Sequence, residues 1–483
     1  MDILMREDYE VIIGLEVHAE LSTKTKIFCN CTTEFGADPN THCCPICTGM
    51  PGTLPVLNEN VVEYAIKMGL ATNCKIAKFS KQDRKNYFYP DTPRAYQISQ
   101  YDLPLCEHGY IDIPIENNDK KRIGITRIHI EDDAGKLIHD AFTKDTLVDM
   151  NRCGVPLIEI VSEPDIRSAK EAVSYMQTLK SILEYLEICD CKMQEGSLRC
   201  DVNLSVRKKG SKEFGTRTET KNLNSFKAVE KLIEFEANRQ IEELENGGTI
   251  YQETRRFDDS KGIGYAMRTK EDAHDYRYFP EPDLAPIVMS EEYVQNLKNN
   301  LPEMPHIKKS RYMKDFDLSE YDAEQLTSSK HTADFFEKTN ALCNNPKAVA
   351  NWIMSDFAKM LNEEELEIRQ SKVTEENLAA LIKLIDSGKI SSAIAKKVFI
   401  DMFNTGDNAN EIVDKKGLIQ ISDEGAIKEI VKRTVEANPQ SVEDYHAGRD
   451  RALGFLVGQI MKETKGKANP QIVNKMLKEI LDN

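Results

Sequence analysis

Nowhere does this sequence hold an apolar run approaching the ~20 residues needed to cross a bilayer. Its opening decapeptide, MDILMREDYE, is too short and too acidic for a secretory signal. The two absences predict a cytoplasmic protein with no membrane segment. No GxxxxGK[ST] stretch occurs, so any nucleotide site is not a P-loop. Positive charge is outnumbered: 64 Lys and Arg face 80 Asp and Glu, a net charge of −16 at pH 7. That excludes nucleic-acid binding over a broad basic surface and leaves only confined patches. One such patch begins at Ala447. From there onward Arg449, Arg451, Lys462, Lys465, Lys467, Lys475 and Lys478 outnumber four acids. There is no internal repeat and no low-complexity tract.

What is present suits a multidomain globular chain. At 483 residues it is too long for one core and predicts two or three domains. Up to about residue 290 the pattern alternates like strands, with Gly and Pro at the turns. Two long helices interrupt it. One is expected from about Ser168 to Ile188, with Val173, Met176, Leu179, Leu183 and Leu186 at helical spacing. The other is expected to start with Asn224 as N-cap and to stop at Asn246-Gly247-Gly248. Tyr278-Phe279-Pro280-Glu281-Pro282 and Leu301-Pro302-Glu303-Met304-Pro305 close this region. Beyond it the pattern is helical: Thr374 opens one helix, Gly388 ends it and Ser391 opens the next. A linker is expected between Gly406 and Gly417, followed by a last helical bundle.

Of twelve cysteines, five fall between Cys29 and Cys47. In a reducing compartment such a cluster reads as metal ligands before it reads as disulfides. Cys29 with Cys31, and Cys44 with Cys47, form two chelating turns, the donor set of a structural zinc; Cys43 is spare. Idle cytosolic thiols are the bland alternative.

Three strand-like segments each carry polar groups on one face. These groups are Glu16, His18 and Glu20; Arg127, His129 and Glu131; and Asp201, Asn203 and Ser205. A sheet built from them offers the carboxylate oxygens that Mg²⁺ needs beside nucleotide phosphates. An ordinary sheet with one wet face gives the same alternation. In Asp83-Arg84-Lys85-Asn86-Tyr87-Phe88-Tyr89-Pro90-Asp91, two cations stand beside three aromatics, a composition that suits phosphate and a stacked base. A solvated basic turn with core tyrosines is the alternative.

Together these segments resemble one family over nearly the whole chain. The strings are VIIGLEVHAEL at 11–21, GMPGTLPVLN at 49–58, DRKNYFYPDTPRAYQISQYDLPL at 83–105 and ITRIHIEDDAGK at 125–136. GVPLIEIVSEPDIRS at 154–168, GSLRCDVNLS at 196–205, KNLNSF at 221–226, QETRRFD at 252–258 and YRYFPEPDLAP at 276–286 follow in order. GFLVGQIMKETKGKANPQIVNKML at 454–477 is similar to the helical GatB/YqeY tail. The chain is identified as a member of the GatB/GatE family of tRNA-dependent amidotransferase proteins. It leaves no room for the inserted synthetase-like domain of the GatE branch. A non-catalytic zinc-containing RNA-binding scaffold is the other rival.

The resemblance implies an α+β fold: a cradle-like domain with mostly antiparallel sheet at 1–295, a helical domain at 296–410, and a small helical, YqeY-like tail at 411–483 that binds tRNA. It implies ATP-dependent phosphorylation of the side-chain carboxylate of Glu on tRNA-Gln or Asp on tRNA-Asn. Ammonia from the amidase partner (the A chain of such complexes) then displaces the phosphate, in a heterotrimer completed by a small third protein, the C chain. No Gly-Gly-Ser-Ser-Gly stretch of the amidase type occurs, so the chain does not make its own ammonia. The implied magnesium ligands are Glu16, His18, Glu131 and Asp201. Arg84, Arg199 and Asp201 are implied for the nucleotide. Lys85, Glu131 and Asp132 are implied as catalytic groups where ammonia arrives. Many family members carry two glutamates where this chain has Glu131-Asp132. Only part of the family carries the zinc cysteines, which implies a structural duty for Cys29, Cys31, Cys44 and Cys47.

Overall fold

The computed structural model describes residues 8–116, 119–140, 143–269, 276–419, 424–447, 449, 451–464, 468 and 470–482. The chain divides into two compact units, Met1–Met304 and Pro305–Asn483.

Strands of the first unit are β1 (Tyr9–Glu20), β2 (Lys75–Ile76), β3 (Phe79–Ser80), β4 (Asp83–Asn86), β5 (Tyr96–Ser99), β6 (Cys106–Pro114) and β7 (Lys120–Asp132). They continue as β8 (Lys136–His139), β9 (Thr146–Asp149), β10 (Pro156–Ser162), β11 (Leu198–Lys208), β12 (Thr218–Leu223), β13 (Glu253–Asp258) and β14 (Ile263–Thr269). The short β15 (Phe279–Pro280) and β16 (Ile287–Val288) follow. Its helices are α1 (Glu59–Ala71), α2 (Ala169–Tyr185), α3 (Phe226–Glu245) and α4 (Glu291–Asn299). Nine strands join in one sheet in the order β14-β13-β12-β11-β1-β10-β7-β6-β2. Its pairings are antiparallel except β12 with β13. The expected α+β architecture with a mostly antiparallel N-terminal sheet is what the chain adopts.

The alternation of YEVIIGLEVHAE explains why β1 sits at the centre. Val11, Ile13, Leu15, Val17 and Ala19 enter the core, while Glu16, His18 and Glu20 face the other way. Each buried aliphatic side chain contributes about 1.5–3 kcal/mol of transfer free energy, enough to fix which face is which. Helices cover the apolar face. Ser168 caps α2 by accepting from the Glu171 amide, and Tyr175, Met176, Leu179 and Leu183 are buried. The cap of α3 is Ser225 rather than Asn224: its hydroxyl accepts from the Ala228 amide at 3.0 Å, while Asn224 is exposed. Both residue types cap well, so their adjacency leaves the choice to tertiary context.

In the second unit, helices from Pro305–Asp315 to Ala409–Lys415 share a core that includes Tyr312, Phe336, Phe357 and Phe399. Gly406, at φ +82°, ends the helix Ser392–Thr405 in a left-handed cap. The expected linker after it contains a helix instead. Asn408 caps Ala409–Lys415, whose Ala409, Ile412 and Val413 belong to the same core. The Gly-Asp-Asn cluster is thus stop and start signals placed end to end. A separate core gathers Ile427, Val431, Leu456, Ile460, Val473 and Leu477. No helix among the described residues is long and apolar enough to cross a membrane.

Candidate functional site: a carboxylate-lined cavity and a four-cysteine cluster

The polar face of the sheet floors a cavity of about 440 Å³. Register organises it into rows. In one row Asp201, Glu16, Val161 and Arg127 stand opposite one another across β11, β1, β10 and β7. In the next row stand Arg199, His18, Glu159 and His129. Directly paired residues project to the same face, so the three polar strand faces read from the sequence converge, with β10 between them.

The second row builds a tight cluster. His18 Nε2 lies 3.4 Å from Glu159 Oε2 and 3.8 Å from Glu131 Oε1. His129 Nε2 lies 3.4 Å from the same Glu159 oxygen and 3.6 Å from Glu131 Oε2. Burial opposes charge on both imidazoles, yet Glu159 outweighs it: the His18 pKa is raised and that of His129 reaches about 9. Burial likewise pushes Glu131 up, and the Lys85 ammonium overrides it, holding the carboxyl below its ordinary value. His18, Glu131 and Glu159 each offer one ligand atom within 4.8 Å of the others.

A second cluster of Glu16, Asp201 and Glu219 meets the same limit. Asn203 Nδ2 donates to Glu16 at 2.9 Å, and Lys221 Nζ reaches Asp201 at 3.0 Å and Glu219 at 2.7 Å. Burial, and then the Glu159 charge, raises the Glu16 pKa. Carboxylates crowded at this distance are stable together only if protons or cations neutralise them. Oxygen-rich sets of this kind fit a hard divalent cation such as Mg²⁺, the second set more closely because it has no nitrogen donor.

Among the residues named from the sequence, Glu16, His18, Lys85, Glu131, Arg199 and Asp201 line the cavity. Arg84 does not. Its Nε and Nη2 hold Glu281 at 2.7 Å each, and its guanidinium lies 4.4 Å from the Tyr96 ring. Asp132 also lies outside the cavity lining. It accepts from Arg94 and from the Ile98 amide at 2.8 Å, on the other side of the strand from Glu131. Arg199 is tied to Asp133 at 2.6 Å. Lys85 is half-buried, 5.2 Å from the Tyr276 ring centre, and Glu131 and Glu159 raise its pKa against the opposing effect of burial. Tyrosines continue along the rim: Tyr87 to Tyr276 at 6.1 Å, Tyr276 to Tyr278 at 5.9 Å, and Tyr278 stacked on Tyr101 at 4.3 Å.

Sequence reasoning missed Glu159, Glu219 and Lys221. Glu159 had a signal: it is the one charge inside PLIEIVS, an apolar run where an unpaired carboxylate would be costly. Glu219 and Lys221 alternate in TETKNL, but a bulge between β11 and β12 decides which residues they face.

Away from the cavity, the Sγ atoms of Cys29, Cys31, Cys44 and Cys47 lie within 4.8 Å of one another. With Zn–S bonds of about 2.3 Å, the edges of a thiolate tetrahedron are about 3.8 Å, so the four fit one zinc ion. A hydrogen bond from Cys29, against the effect of burial, holds the Cys47 thiol down at about 5. Lys26, fully buried, places its Nζ 3.7 Å from Cys47 Sγ and 2.7 Å from the His42 carbonyl. Cys43 turns to the Asn40 carbonyl at 3.3 Å and takes no part.

Known proteins place this architecture. The family model described as the GatB/GatE catalytic domain matches residues 11–295, and one described as the GatB domain matches 334–481. The chain is similar to the B subunit of aspartyl/glutamyl-tRNA(Asn/Gln) amidotransferase from Caldicellulosiruptor bescii, with 63% identity over 98% of this chain and 99% of the relative. The proteins of the same name from Thermoanaerobacter pseudethanolicus and Clostridium botulinum are 61% and 56% identical, each over 98% of this chain and 99% of the relative. A catalytic-domain match that spans both carboxylate clusters, and relatives alike from end to end, show that the chain belongs to the GatB/GatE family.

Proposed function

We propose that this chain is the tRNA-recognising, phosphorylating subunit of a glutamine-dependent ligase that converts Glu on tRNA-Gln, Asp on tRNA-Asn, or both, to the amide. The observation that carries the proposal is the pair of adjacent carboxylate clusters in one cavity, with Lys85 between the metal-binding floor and the tyrosine rim. A carboxylate is a poor electrophile, and ATP converts it to an acyl phosphate. The substrate's carboxylate oxygen attacks the γ-phosphorus, the bond to the β–γ bridging oxygen breaks, and ADP leaves. Ammonia then adds to the acyl carbon, the bond to phosphate breaks, and the nitrogen gives up one proton.

Each group on the floor has a part. His18, Glu131 and Glu159, with Glu16, Asp201 and Glu219 beside them, would hold Mg²⁺, which neutralises phosphate charge when bound. Arg199 extends the cationic side of the nucleotide site. Lys85 and Glu131 face the point where ammonia arrives, and Glu131 is placed to accept its proton. Asp132 positions β7 through Arg94 and Ile98. The four cysteines hold a structural zinc, because four thiolates leave no open coordination position. Ammonia comes from an amidase partner, with a small third protein completing the complex. The tail beyond residue 410 binds tRNA. Its Lys465-Gly466-Lys467 turn lies outside the described residues.

The test supplies mischarged tRNA and γ-labelled ATP to the assembled complex. Label should accumulate on the aminoacyl side chain when ammonia is withheld and appear as inorganic phosphate when ammonia is supplied. Glu131→Ala should abolish the transfer, and His18→Ala should leave a trace that Mn²⁺ restores, since Mn²⁺ tolerates nitrogen donors. Acyl phosphate at wild-type levels in the Glu131→Ala complex would place the kinase site elsewhere.

A further inference from the structure

The carboxylates that line the cavity already have partners in the protein. Asp133 has Arg199, Asp201 and Glu219 share Lys221, Glu16 takes Asn203, Glu131 accepts from Ser99 at 3.1 Å, and Glu159 lies between two imidazoles. Among the described residues three cations of this lining form no ion pair: Lys85, which lies 5.2 Å from the Tyr276 ring centre, Arg217 and Arg127. Arg127 lines the cavity, half-buried, in the row that carries Glu16 and Asp201. Among the described residues no carboxylate lies within ion-pair distance of it. Glu107, directly opposite in register on β6, makes no ion pair with it either. Its Nε is buried and has no hydrogen-bond partner. Arg217, the other unpaired arginine lining the cavity, is exposed and solvated, so its charge needs no further account.

A guanidinium with a buried, unsatisfied N–H is costly unless something absent from the free protein completes it. A guanidinium N–H is completed by an acceptor, and the acceptor that matches its charge is an anion. The planar fork of arginine matches two oxygens on one phosphorus or carbon. We propose that Arg127 is the oxyanion-binding residue of this site, donating from its guanidinium to two oxygens of a substrate phosphoryl or carboxylate group. The inference rests on the function proposed above and adds a contact to it. Two substrate groups carry that chemistry, the γ-phosphate of ATP and the side-chain carboxylate of the aminoacyl-tRNA. Both must approach the metal-binding floor from which Arg127 projects.

The experiment uses the assembled amidotransferase with Arg127→Gln and Arg127→Lys variants. It reads the dissociation constant of Mg²⁺ with a non-hydrolysable ATP analogue, KM and kcat for mischarged tRNA, the glutaminase rate, and the melting temperature. Arg127→Gln should lower kcat/KM roughly tenfold to a hundredfold, the loss of one charge-assisted contact. Glutaminase rate and melting temperature should stay unchanged. Weakened nucleotide binding with unchanged tRNA KM assigns Arg127 to the phosphate; the converse assigns it to the carboxylate. Either result supports the proposal. Nucleotide binding and tRNA kinetics both within twofold of wild type overturn it. If the Gln variant unfolds, Arg127→Lys decides, because it keeps the charge and loses the fork. A loss beyond fivefold at unchanged melting temperature then supports the assignment, and wild-type rates overturn it. A wild-type complex without tRNA-dependent ATP turnover instead brings down the functional reading itself.

Discussion

His18 Nε2 and Glu159 Oε2 lie 3.4 Å apart, directly opposite each other across β1 and β10, and the same Glu159 oxygen lies 3.4 Å from His129. One carboxylate therefore orients two imidazoles and, with Glu131, completes a cation-binding set. Removing its charge leaves the two imidazoles only the more distant Glu131, at 3.8 and 3.6 Å, among the described carboxylates.

Glu159→Gln should accordingly reduce tRNA-dependent ATP turnover by a factor of about 100, at the upper end for groups that hold metal ligands. Mn²⁺ titration followed by electron paramagnetic resonance should show weakened binding, and the glutaminase rate of the assembled complex should be unchanged. Wild-type Mn²⁺ affinity in the variant would remove Glu159 from the metal site.

What the sequence revealed of this site follows from periodicity. Glu16, His18 and Glu131 could be read because strand alternation declares a face without knowledge of neighbours. Alternation does not declare Glu159, because β10 is apolar on both sides of it; only the cost of a lone charge in an apolar run marks it. Arg84 and Lys85 are adjacent in one strand, so alternation sends them to opposite faces: only Lys85 reaches the cavity, while Arg84 meets Glu281 nearly two hundred residues away. The sheet order that puts β10 between β1 and β7 is a long-range fact that no local pattern encodes. Three of the four helix starts read from the sequence, by contrast, hold: Ser168, Thr374 and Ser391 all accept the hydrogen bonds that their positions suggest.

Zinc content gives a second test. The purified chain should carry about one zinc per molecule, and Cys44→Ser with Cys47→Ser should remove it, as measured by elemental analysis. Melting temperature should fall with the metal, and any loss of activity should follow the loss of fold. Equal zinc in variant and wild type would dismiss the four-cysteine site.

Acid stability should report the Glu236 network. This buried carboxylate on α3 accepts from Arg239 at 2.7 Å, from Gln240 at 3.0 Å and from Thr218 on β12 at 2.8 Å. Arg255 on β13 lies 3.2 Å away. Burial raises its pKa, and Arg239 with the other donors more than reverses this, leaving it lowered. A lowered carboxyl stabilises the fold above its unfolded value of about 4.3 and loses that contribution as pH falls through the folded value. Urea midpoints should therefore drop below about pH 4.3, less steeply in Glu236→Gln. At pH 7 the variant should be less stable by about 3 kcal/mol, since both arginines lose a buried partner. Identical acid profiles for the two proteins would show that other carboxylates govern the transition.

A truncation that tests the proposed binding of tRNA by the tail must begin where no other core is damaged, and the packing shows where. Ala409, Ile412 and Val413 fill the core of the preceding helices, so a cut near residue 410 would damage that core and confuse binding with folding. A chain ending at Ile419 spares them and removes the separate core around Leu456 and Leu477. It also removes Lys462, Lys475 and Lys478, which are exposed and, among the described residues, have no carboxylate at ion-pair distance. Cations of that kind gain by releasing counterions from a phosphate backbone, so their contribution falls as salt rises. The truncated complex should show a KM for aminoacyl-tRNA raised about tenfold at low salt and progressively less at high salt. Mg²⁺-nucleotide affinity, which depends on the carboxylate clusters of the first unit, should not change. A KM that is unaltered at every salt concentration would leave these lysines as a solvated helix surface and assign tRNA recognition to another part of the chain.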